Sequence, residues 1–392
     1  MKWLSENVAA VAQVFNGKTP SRDEQRAAGH AVLKIKDVDE FGCFRGTFSG
    51  FVDHALAEKH RKKQILGGET LVLNAAHSAS HVASKTFFAA NAVVGAIATG
   101  EWLVVRWDKS KVDERYGNHW INSTDTRFKL RQLINGIHLY PRDVGGLEIP
   151  LPPLPEQKRI AGILDAADAL RAKRREALAQ LDTLLQSTFL DMFGDPVTNP
   201  NGWEEKVLGE ICDVRDGTHD SPRYVESGHP LLTSKNFKDG EIDLEASNLI
   251  SDEDFTQINK RSKVDVGDLV MPMIGTIGNP VLVEHEPHFA IKNVALIKFA
   301  KGSPDNRFIR ALLCSHYFDH ITLKANRGGT QKFVALKDLR GMPIPIPRAD
   351  LQRRFATVVE SVERQKARIR AHLAELDALF ASLQSRAFNG TL

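Results

Sequence analysis

Hydrophobic positions along the chain follow two different patterns. Short apolar runs bounded by Gly, Asn and Asp predict strands joined by turns, at residues 32–38, 69–73, 91–98 and 102–107. Residues 112–135 favour helices instead. Beyond residue 156 apolar positions recur every three and then four residues, which predicts one long helix with a packing seam. The seam contains Ile163, Ala167, Leu170, Ala177, Leu181 and Leu184.

Prolines and a glycine predict the ends of this helix. Pro150, Pro152, Pro153 and Pro155 favour extended backbone, so the helix is predicted to begin at Glu156. Gly194, followed by Asp-Pro, predicts its end. Roughly 37 helical residues at about 1.5 Å each would make a rod about 55 Å long.

The same segment recurs at the end of the chain, where it predicts a second long helix from Asp350 to Phe388. Gly146, Pro150 and Arg159 coincide with Gly341, Pro345 and Arg354 at a constant separation of 195 residues. This repeat predicts a mixed α/β (α+β) protein in which two globules alternate with two long helices. The helices are predicted to pack antiparallel as a coiled coil about a pseudo-twofold axis. The predicted domains are residues 1–148, 149–195, 196–343 and 344–392.

Composition changes this picture little. The 392 residues are 42% hydrophobic and 26% charged, with a net charge of +3, which permits a polyanionic partner without requiring one. Cys43, Cys212 and Cys314 are odd in number and in no metal-ligand spacing, so reduced thiols of a cytoplasmic protein are expected. No stretch approaches the roughly 20 apolar residues that span a bilayer. We therefore expect no membrane association. We also expect no signal peptide, because the first 15 residues contain Glu6 and lack a clean apolar core and a cleavage site.

Fragments that imitate catalytic motifs are each incomplete. Gly17-Lys18-Thr19 has the ending of a phosphate-binding loop, but Ala12 occupies the position of its first glycine. His77 and His81 have helical spacing without the intervening glutamate of a zinc protease. We predict no catalytic residue, metal site or cofactor in this chain.

Basic and amide side chains gather on glycine-containing turns in both globules. Lys and Arg bind phosphate, whereas Arg, Asn and Gln can pair with base edges. Each such residue taken alone is more often an ordinary surface residue, but their clustering favours DNA binding. The candidate DNA-binding residues are Lys18, Thr19, Lys34, Lys36, Thr218, His219, Lys235, Asn236, Arg327, Thr330, Gln331 and Lys332.

A basic cluster recurs near the middle of both predicted helices. Arg171 and Arg175 coincide with Lys366 and Arg370, and each pair shares one helix face at a spacing where like charges repel. We predict that this cluster faces an acidic partner surface or DNA. A solvated charged face is the alternative.

The segment from Ile149 to Gly194 resembles the central region of the specificity subunits of type I restriction-modification systems. It matches their pattern of apolar-Pro-Leu-Pro-Pro, Glu-Gln and Arg-Ile with Ile149, Pro150, Leu151, Pro152, Pro153, Glu156, Gln157, Arg159 and Ile160. The C-terminal copy resembles the second conserved region of that family. It departs from the pattern at Arg348, Asp350 and Leu351, while Gln352 and Arg354 persist.

The resemblance implies a non-catalytic DNA-recognition subunit. Each globule would be a target recognition domain that reads one half of a bipartite, asymmetric double-stranded site. The helices would set the spacing and dock two methyltransferase subunits, with restriction subunits joining through the complex. S-adenosylmethionine, ATP and Mg would be held by those partners. The implied or predicted partner-binding residues are Glu156, Gln157, Arg159, Arg171, Arg175, Gln352, Arg354, Lys366 and Arg370.

Two other classes of function stay open. The chain could be a stand-alone enzyme that acts on nucleic acid, although its motifs argue against this. It could also be a structural interaction protein, such as a specificity-like subunit of another phage-defence or solitary methyltransferase complex.

Overall fold

The computed structural model describes residues 3–238, 240–245, 247–275, 277–325 and 333–392. The chain divides into two compact units, one formed by Met1–Arg175 with Arg370–Leu392 and the other by Glu176–Ile369. Both dividing points fall inside the long helices. This grouping cuts across the four predicted domains, because each unit combines one globule with half of each long helix.

The first globule, residues 3–150, is a mixed α/β structure, as predicted. Its strands are β1 (Ser5–Asn7), β2 (Ala12–Asn16), β3 (Gln25–Arg26), β4 (His30–Leu33), β5 (Phe51–Val52), β6 (Thr70–Leu73), β7 (Thr86–Phe88), β8 (Ile97–Ala98), β9 (Trp102–Trp107) and β10 (Glu148–Pro150). Its helices are α1 (Val8–Val11), α2 (His54–Lys59), α3 (Glu114–Ile121), α4 (Thr124–Gln132) and α5 (Pro141–Gly145). The helix α6 (Leu154–Phe193) follows.

Two four-stranded sheets build most of this globule, and β1 and β10 form a separate antiparallel pair. One sheet is antiparallel with the strand order β2-β9-β6-β7, and the other has the order β3-β5-β4-β8. In the second sheet β4 and β8 run parallel, with Leu33 opposite Ala98. Trp102 and Leu71 are fully buried in the core beneath the first sheet. Their complete burial explains why residues 69–73 and 102–107 read as strands from their apolar runs alone.

The second globule, residues 204–346, has a similar order of elements. Its strands are β11 (Glu204–Val207), β12 (Asp213–Asp216), β13 (His229–Leu232), β14 (Phe237–Lys238), β15 (Glu241–Ile242), β16 (Asn248–Ile250), β17 (Leu269–Pro272), β18 (Val281–Leu282), β19 (Ala290–Ile291), β20 (Val294–Lys298) and β21 (Pro343–Ile346). Its helices are α7 (Leu208–Ile211), α8 (Asp252–Ser262), α9 (Asn306–Leu313), α10 (His316–Ala325) and α11 (Leu336–Arg340), followed by the long helix α12 (Ala349–Phe388).

The sheets of the second globule match those of the first. Strands β12-β20-β17-β18 form an antiparallel sheet, and β16-β13-β19 form a smaller one. In the smaller sheet β13 and β19 are parallel, with Leu232 opposite Ile291. A cluster of Phe189, Phe193, Phe308 and Phe355 joins both long helices to the core of this unit.

The long helix α6 begins two residues earlier than predicted, at Leu154. Pro155 is tolerated there because the N–H groups of the first helical turn have no partner within the helix. Gly194 ends the helix with a φ of 79°, in agreement with the prediction. Helix α12 begins at Ala349 and ends at Phe388, within one residue of the predicted bounds.

The two long helices pair antiparallel within each unit. In the first unit Arg159 bonds the carbonyl of Leu392 while Arg171 bonds Asp377, so the residue numbers run in opposite directions. The predicted seam is wrong at Leu170 and Leu184, which are 47% and 48% exposed. Buried positions of α6 instead include Ile160, Ala161, Leu164, Ala167, Phe189 and Phe193. Among the described residues, none of the helices combines the length and apolarity that a bilayer crossing requires.

Candidate nucleic-acid interface

Main-chain hydrogen bonds bring three turns of the first globule together. The amide of Lys18 donates to Ala98 O at 2.8 Å, and the amide of Gly100 donates to Thr19 Oγ1 at 2.8 Å. The amide of Thr99 donates to Leu33 O at 3.1 Å. We call this group of residues 16–19, 33–37 and 98–100 the first edge. It brings the predicted residues Lys18 and Thr19 together with Lys34 and Lys36, which lie 15 or more positions later in the sequence.

The second globule builds a second edge with the same bonds. The amide of Thr218 donates to Ile291 O at 3.0 Å, and that of Lys292 donates to Leu232 O at 2.9 Å. This second edge consists of residues 216–219, 232–236 and 291–293. It brings the predicted residues Thr218 and His219 to the same turn cluster as Lys235 and Asn236.

A glycine is required at the same place in both edges. A Cβ atom on Gly17 would lie 2.2 Å from the carbonyl oxygens of both Ala98 and Thr99. A Cβ atom on Gly217 would lie 2.2 Å from Ile291 O. These contacts align Gly17 with Gly217, and therefore Lys18 with Thr218 and Thr19 with His219.

A run of basic residues beside the first edge escaped the sequence analysis. Five consecutive cationic or ionisable residues, Lys59–Lys63, follow the end of α2. Lys63 ties this basic run to the edge, because its Nζ donates to Asn16 O at 3.0 Å and to Gly17 O at 3.2 Å. Partial burial, followed by the charge of Lys18 and of the flanking lysines, lowers the pKa of His60 below its ordinary value. A scan for consecutive basic residues would have found this run.

The second edge has mixed charge. His219 Nδ1 lies 2.7 Å from Asn293 Oδ1, and its Nε2 lies 2.9 Å from Asp216 Oδ2. These hydrogen bonds to Asn293 and Asp216 raise the pKa of the exposed His219 ring above its ordinary value. Arg261, from the last turn of α8, also pairs with Asp216. Each edge thus has basic side chains near the end of one helix, which is α2 in the first globule and α8 in the second.

Asn236 is buried, and its side chain bonds other residues of the second globule. Its Oδ1 accepts from Thr233 N and Oγ1, both at 2.9 Å, and its Nδ2 donates to Asp243 O and Ser247 Oγ. The predicted contact of Asn236 with a base would require these bonds to break. Lys36 and Lys235 occupy the middle of equivalent 3-10 turns and are exposed, whereas Lys34 is half-buried over Gly50.

The predicted residues Arg327, Thr330, Gln331 and Lys332 lie outside the described residues. The strand pairing that follows them is described: Phe333 bridges to Ile274, and Val334 N donates to Met273 O at 3.0 Å. In the first globule His138 bridges to Ala75, and Leu139 N donates to Asn74 O at 2.8 Å. By this alignment residues 132–137 of the first globule correspond in position to residues 327–332. The sequence analysis did not select residues 132–137 as candidates.

Two predicted partner-binding residues are buried, which corrects their assignment. Gln157 is 1% exposed; its Oε1 accepts from Asp113 N at 2.8 Å, and its Nε2 donates to the carbonyls of Lys111 and Pro152 at 2.9 Å. Gln352 is 4% exposed, accepts from Asp305 N at 2.8 Å and donates to Pro347 O at 2.7 Å. Each glutamine therefore fastens the start of a long helix to its globule, because its amide satisfies main-chain groups on both.

The predicted basic cluster also differs from expectation. Arg171 Nε donates to Asp377 at 2.6 Å, and the buried Lys366 donates to Asp182 at 2.8 Å. Both residues therefore clamp the two long helices together within their own units rather than facing a partner. Like charges at the i, i+4 spacing are compensated by the aspartates of the opposite helix.

The remaining predicted partner-binding residues lie nearer the surface. Glu156 and Arg159 form a bidentate pair at 2.7 Å, which lowers the pKa of the Glu156 carboxyl through the hydrogen bonds from Arg159. Arg175 is half-buried over the ring of Phe41. Arg354 is exposed and Arg370 is half-buried. Their binding roles stay predictions.

Comparison with known proteins finds relatives among type I specificity subunits. The chain is 26% identical to the type I restriction enzyme EcoBI specificity subunit of Escherichia coli over 65% of this chain and 60% of that protein. It is also 26% identical to the MjaVIII specificity subunit of Methanocaldococcus jannaschii over 65% of each chain. The matches thus span less than two thirds of these relatives.

The fold has a counterpart among solved structures. The crystal structure of the type I restriction-modification S subunit from M. genitalium matches with a TM-score of 0.55 and 14% identity, over 99% of this chain and 96% of that one. Residues 200–377 match the family model of the type I restriction modification DNA specificity domain. Over these residues the chain therefore matches the DNA specificity domain of type I restriction-modification systems, and it is similar in sequence to their specificity subunits.

Proposed function

We propose that this chain is the non-catalytic DNA-recognition subunit of a type I restriction-modification complex. Each globule reads one half of a bipartite, asymmetric double-stranded DNA site. The single observation that carries the proposal is the edge that is built twice from the same main-chain bonds but with different side chains. A shared frame explains a shared docking geometry, and different side chains explain two different half-sites.

The chemistry of the edges suits DNA. Gly17 and Gly217 keep the backbone compact where a duplex would approach, and exposed Lys36 and Lys235 occupy equivalent positions. Lysine side chains and backbone amides bind phosphate oxygens, which position a protein on the duplex. Side chains that differ between the edges, such as Thr19 and His219, are suited to base recognition.

We infer the partners from the similarity to type I specificity subunits. Two methyltransferase subunits would dock along exposed positions of the long helices, near Glu156, Arg159 and Arg354, and restriction subunits would join through them. S-adenosylmethionine, ATP and Mg would belong to these partners. A role on genomic DNA places the chain in the cytoplasm.

Methylation mapping tests the proposed function. Cells that carry this chain with its methyltransferase subunits are expected to show N6-methyladenine in one bipartite sequence, and deletion of this chain should remove all of it. Persistence of the same methylation without the chain would contradict the proposal. Cleavage or methylation of DNA by the purified chain alone would establish the stand-alone enzyme instead, and assembly without DNA binding would establish the structural protein.

The basic run makes a quantitative prediction about salt. Lys59 and Lys62 are exposed, and neither has an ion-pair partner in the described parts of the chain. If each contacts one phosphate, the Lys59→Ala, Lys62→Ala double variant should lower the slope of log affinity against log salt by about 1.8, at about 0.9 for each contact. The recognised sequence should stay the same, because phosphate contacts carry no direct base information. Affinity measured from 50 to 200 mM salt checks this.

A matched control lies at the other end of β9. Lys109 and Lys111 are also exposed, and they follow Trp107 rather than the Leu103 end, where the first edge lies. Their double alanine variant should keep the slope of the unmodified complex. An equal slope change in both double variants would show that the basic run has no special role.

A further inference from the structure

A polar recess opens beside the first edge. It has a volume of about 370 Å³ and lies between the Gly17 turn and the loop that ends at Tyr140. Its polar lining consists of Asn16, Thr19, Asn74, Glu101, His138 and Tyr140. Thr19 belongs to the first edge, so the recess is part of the surface that the proposed function assigns to DNA.

The floor of the recess is fixed and its rim is exposed. Asn74 is 3% exposed, and its Nδ2 donates to Asn16 Oδ1 at 2.8 Å. The rings of His138 and Tyr140 stand 6.1 Å apart at the rim, where both residues are exposed. Planar and amide groups around a fixed floor suit the edge of a nucleobase.

Glu101 is the unusual member of this lining. It is half-buried, and within the described residues its carboxylate neither accepts a hydrogen bond nor pairs with a cation. Its own main chain is held, because Glu101 O accepts from Asn74 N at 2.8 Å. A partly desolvated carboxylate without partners is unfavourable, and beside Thr19 of the first edge it would also repel phosphate.

One class of contact removes this conflict. A carboxylate accepts hydrogen bonds from the exocyclic amino groups of cytosine and adenine in the major groove. Guanine and thymine present a carbonyl oxygen at the equivalent place, which faces a carboxylate acceptor to acceptor. Repulsion from the wrong base would therefore add to attraction towards the right one.

We propose that Glu101 is a specificity-determining residue that accepts a hydrogen bond from an adenine or cytosine amino group in one half-site. This inference rests on the proposed function of the first edge. Lys18 N and Gly17 N bond Ala98 O and Trp102 O, with three residues between the two acceptors. In the second globule only two residues separate Ile291 from Val294, the equivalent acceptors. The loop of the second globule is thus one residue shorter, and Asn293 stands directly before Val294 where Glu101 stands before Trp102, in line with two different half-sites.

The test compares base preference in the assembled complex. Methylation would be mapped at the cognate site and at sites with one base changed, for the unmodified chain and for Glu101→Ala. We expect the variant to lose about fivefold or more of its discrimination at one position of one half-site. The gain should fall on sequences with guanine or thymine there. Glu101→Gln, which keeps an acceptor oxygen, should restore part of the discrimination.

A control variant separates specificity from charge. Glu58→Ala removes a carboxylate beside the basic run, where Glu58 and Arg61 form an exposed pair at 3.6 Å. Both alanine variants should bind non-cognate DNA at least as well at low salt, because each removes one negative charge, but only Glu101→Ala should change base preference. An unchanged preference at every position in Glu101→Ala would overturn the inference while leaving the bipartite site of the unmodified complex intact. If the unmodified complex shows no bipartite site, the proposed function itself fails.

Discussion

Replacement of Gly17 by alanine is expected to destabilise the first unit and to disrupt recognition of one half-site. The new methyl carbon would lie 2.2 Å from two carbonyl oxygens, so the Gly17 turn would have to move away from Ala98 and Thr99. Overpacking of this kind costs about 1–3 kcal/mol of unfolding free energy, occasionally more. It would also displace Lys18, whose amide bonds the same strand end. Thermal unfolding together with DNA-binding measurements on the assembled complex checks both effects.

Two further glycines make this prediction specific. Gly217→Ala should have the same effect on the other half-site, since its Cβ would meet Ile291 O at 2.2 Å. Gly162→Ala should stabilise the chain by about 0.5–1 kcal/mol, because Gly162 lies in a helix interior with open space around it. Unchanged recognition in both Gly17→Ala and Gly217→Ala would contradict the proposed edges.

Replacement of Gln157 by alanine should weaken the attachment of α6 to the first globule. The change leaves the amide of Asp113 and the carbonyls of Lys111 and Pro152 without this partner in a buried place. Leaving a buried polar group unsatisfied costs about 1–3 kcal/mol, so we expect a loss of about 3 kcal/mol in unfolding free energy. Gln352→Ala should cost less, since Gln352 bonds two such main-chain groups rather than three. Denaturant unfolding of the single variants gives this order.

A glutamine elsewhere in the same helix serves as the control. Gln180 is exposed, and among the described residues its side chain bonds Glu176 alone, so Gln180→Ala should be close to neutral. Equal losses in Gln157→Ala and Gln180→Ala would rule out the fastening role that the buried bonds suggest.

The long helices were predictable because their signals are local. Proline fixes φ and glycine permits the left-handed conformation that ends a helix, both regardless of tertiary context. The start of α12 and both helix ends agree with the prediction to within one residue. The seam was less predictable. Leu170 and Leu184 have the right spacing but are exposed. Which positions of a long helix are buried depends on the globule and the opposite helix that pack against it, and the sequence of one helix does not contain that information.

Of the predicted strands, one that is almost fully buried was right and one near a glycine was partly wrong. Residues 102–107 form a strand as predicted, because every side chain but one is buried there. Residues 91–98 instead contain a 3-10 turn at Asn91–Val93 and only the short strand Ile97–Ala98. An apolar run near Gly95 cannot by itself distinguish a strand from a buried turn.

The candidate site was predictable in kind more than in detail. Sequence reasoning selected the turns at Lys18 and Thr218, but their union with residues 34–36 and 234–236 depends on parallel strand pairs that join distant segments. Gln157 and Gln352 were assigned to partners because they match the family pattern, which does not distinguish a partner contact from a bond within the fold. Their burial follows from backbone groups of the globule that need a partner, which the sequence does not display.

The main-chain origin of the two edges has a consequence for how new target sequences arise. Because the frame is held by bonds such as Lys18 N to Ala98 O, substitutions of the side chains it presents leave the scaffold intact. Lys36, Glu101 and Lys235 can therefore vary at little cost in folding, whereas Gly17 and Gly217 cannot. Descendants of this protein could therefore recognise new DNA sequences after substitutions at a few of these positions, without losing the stability of the fold.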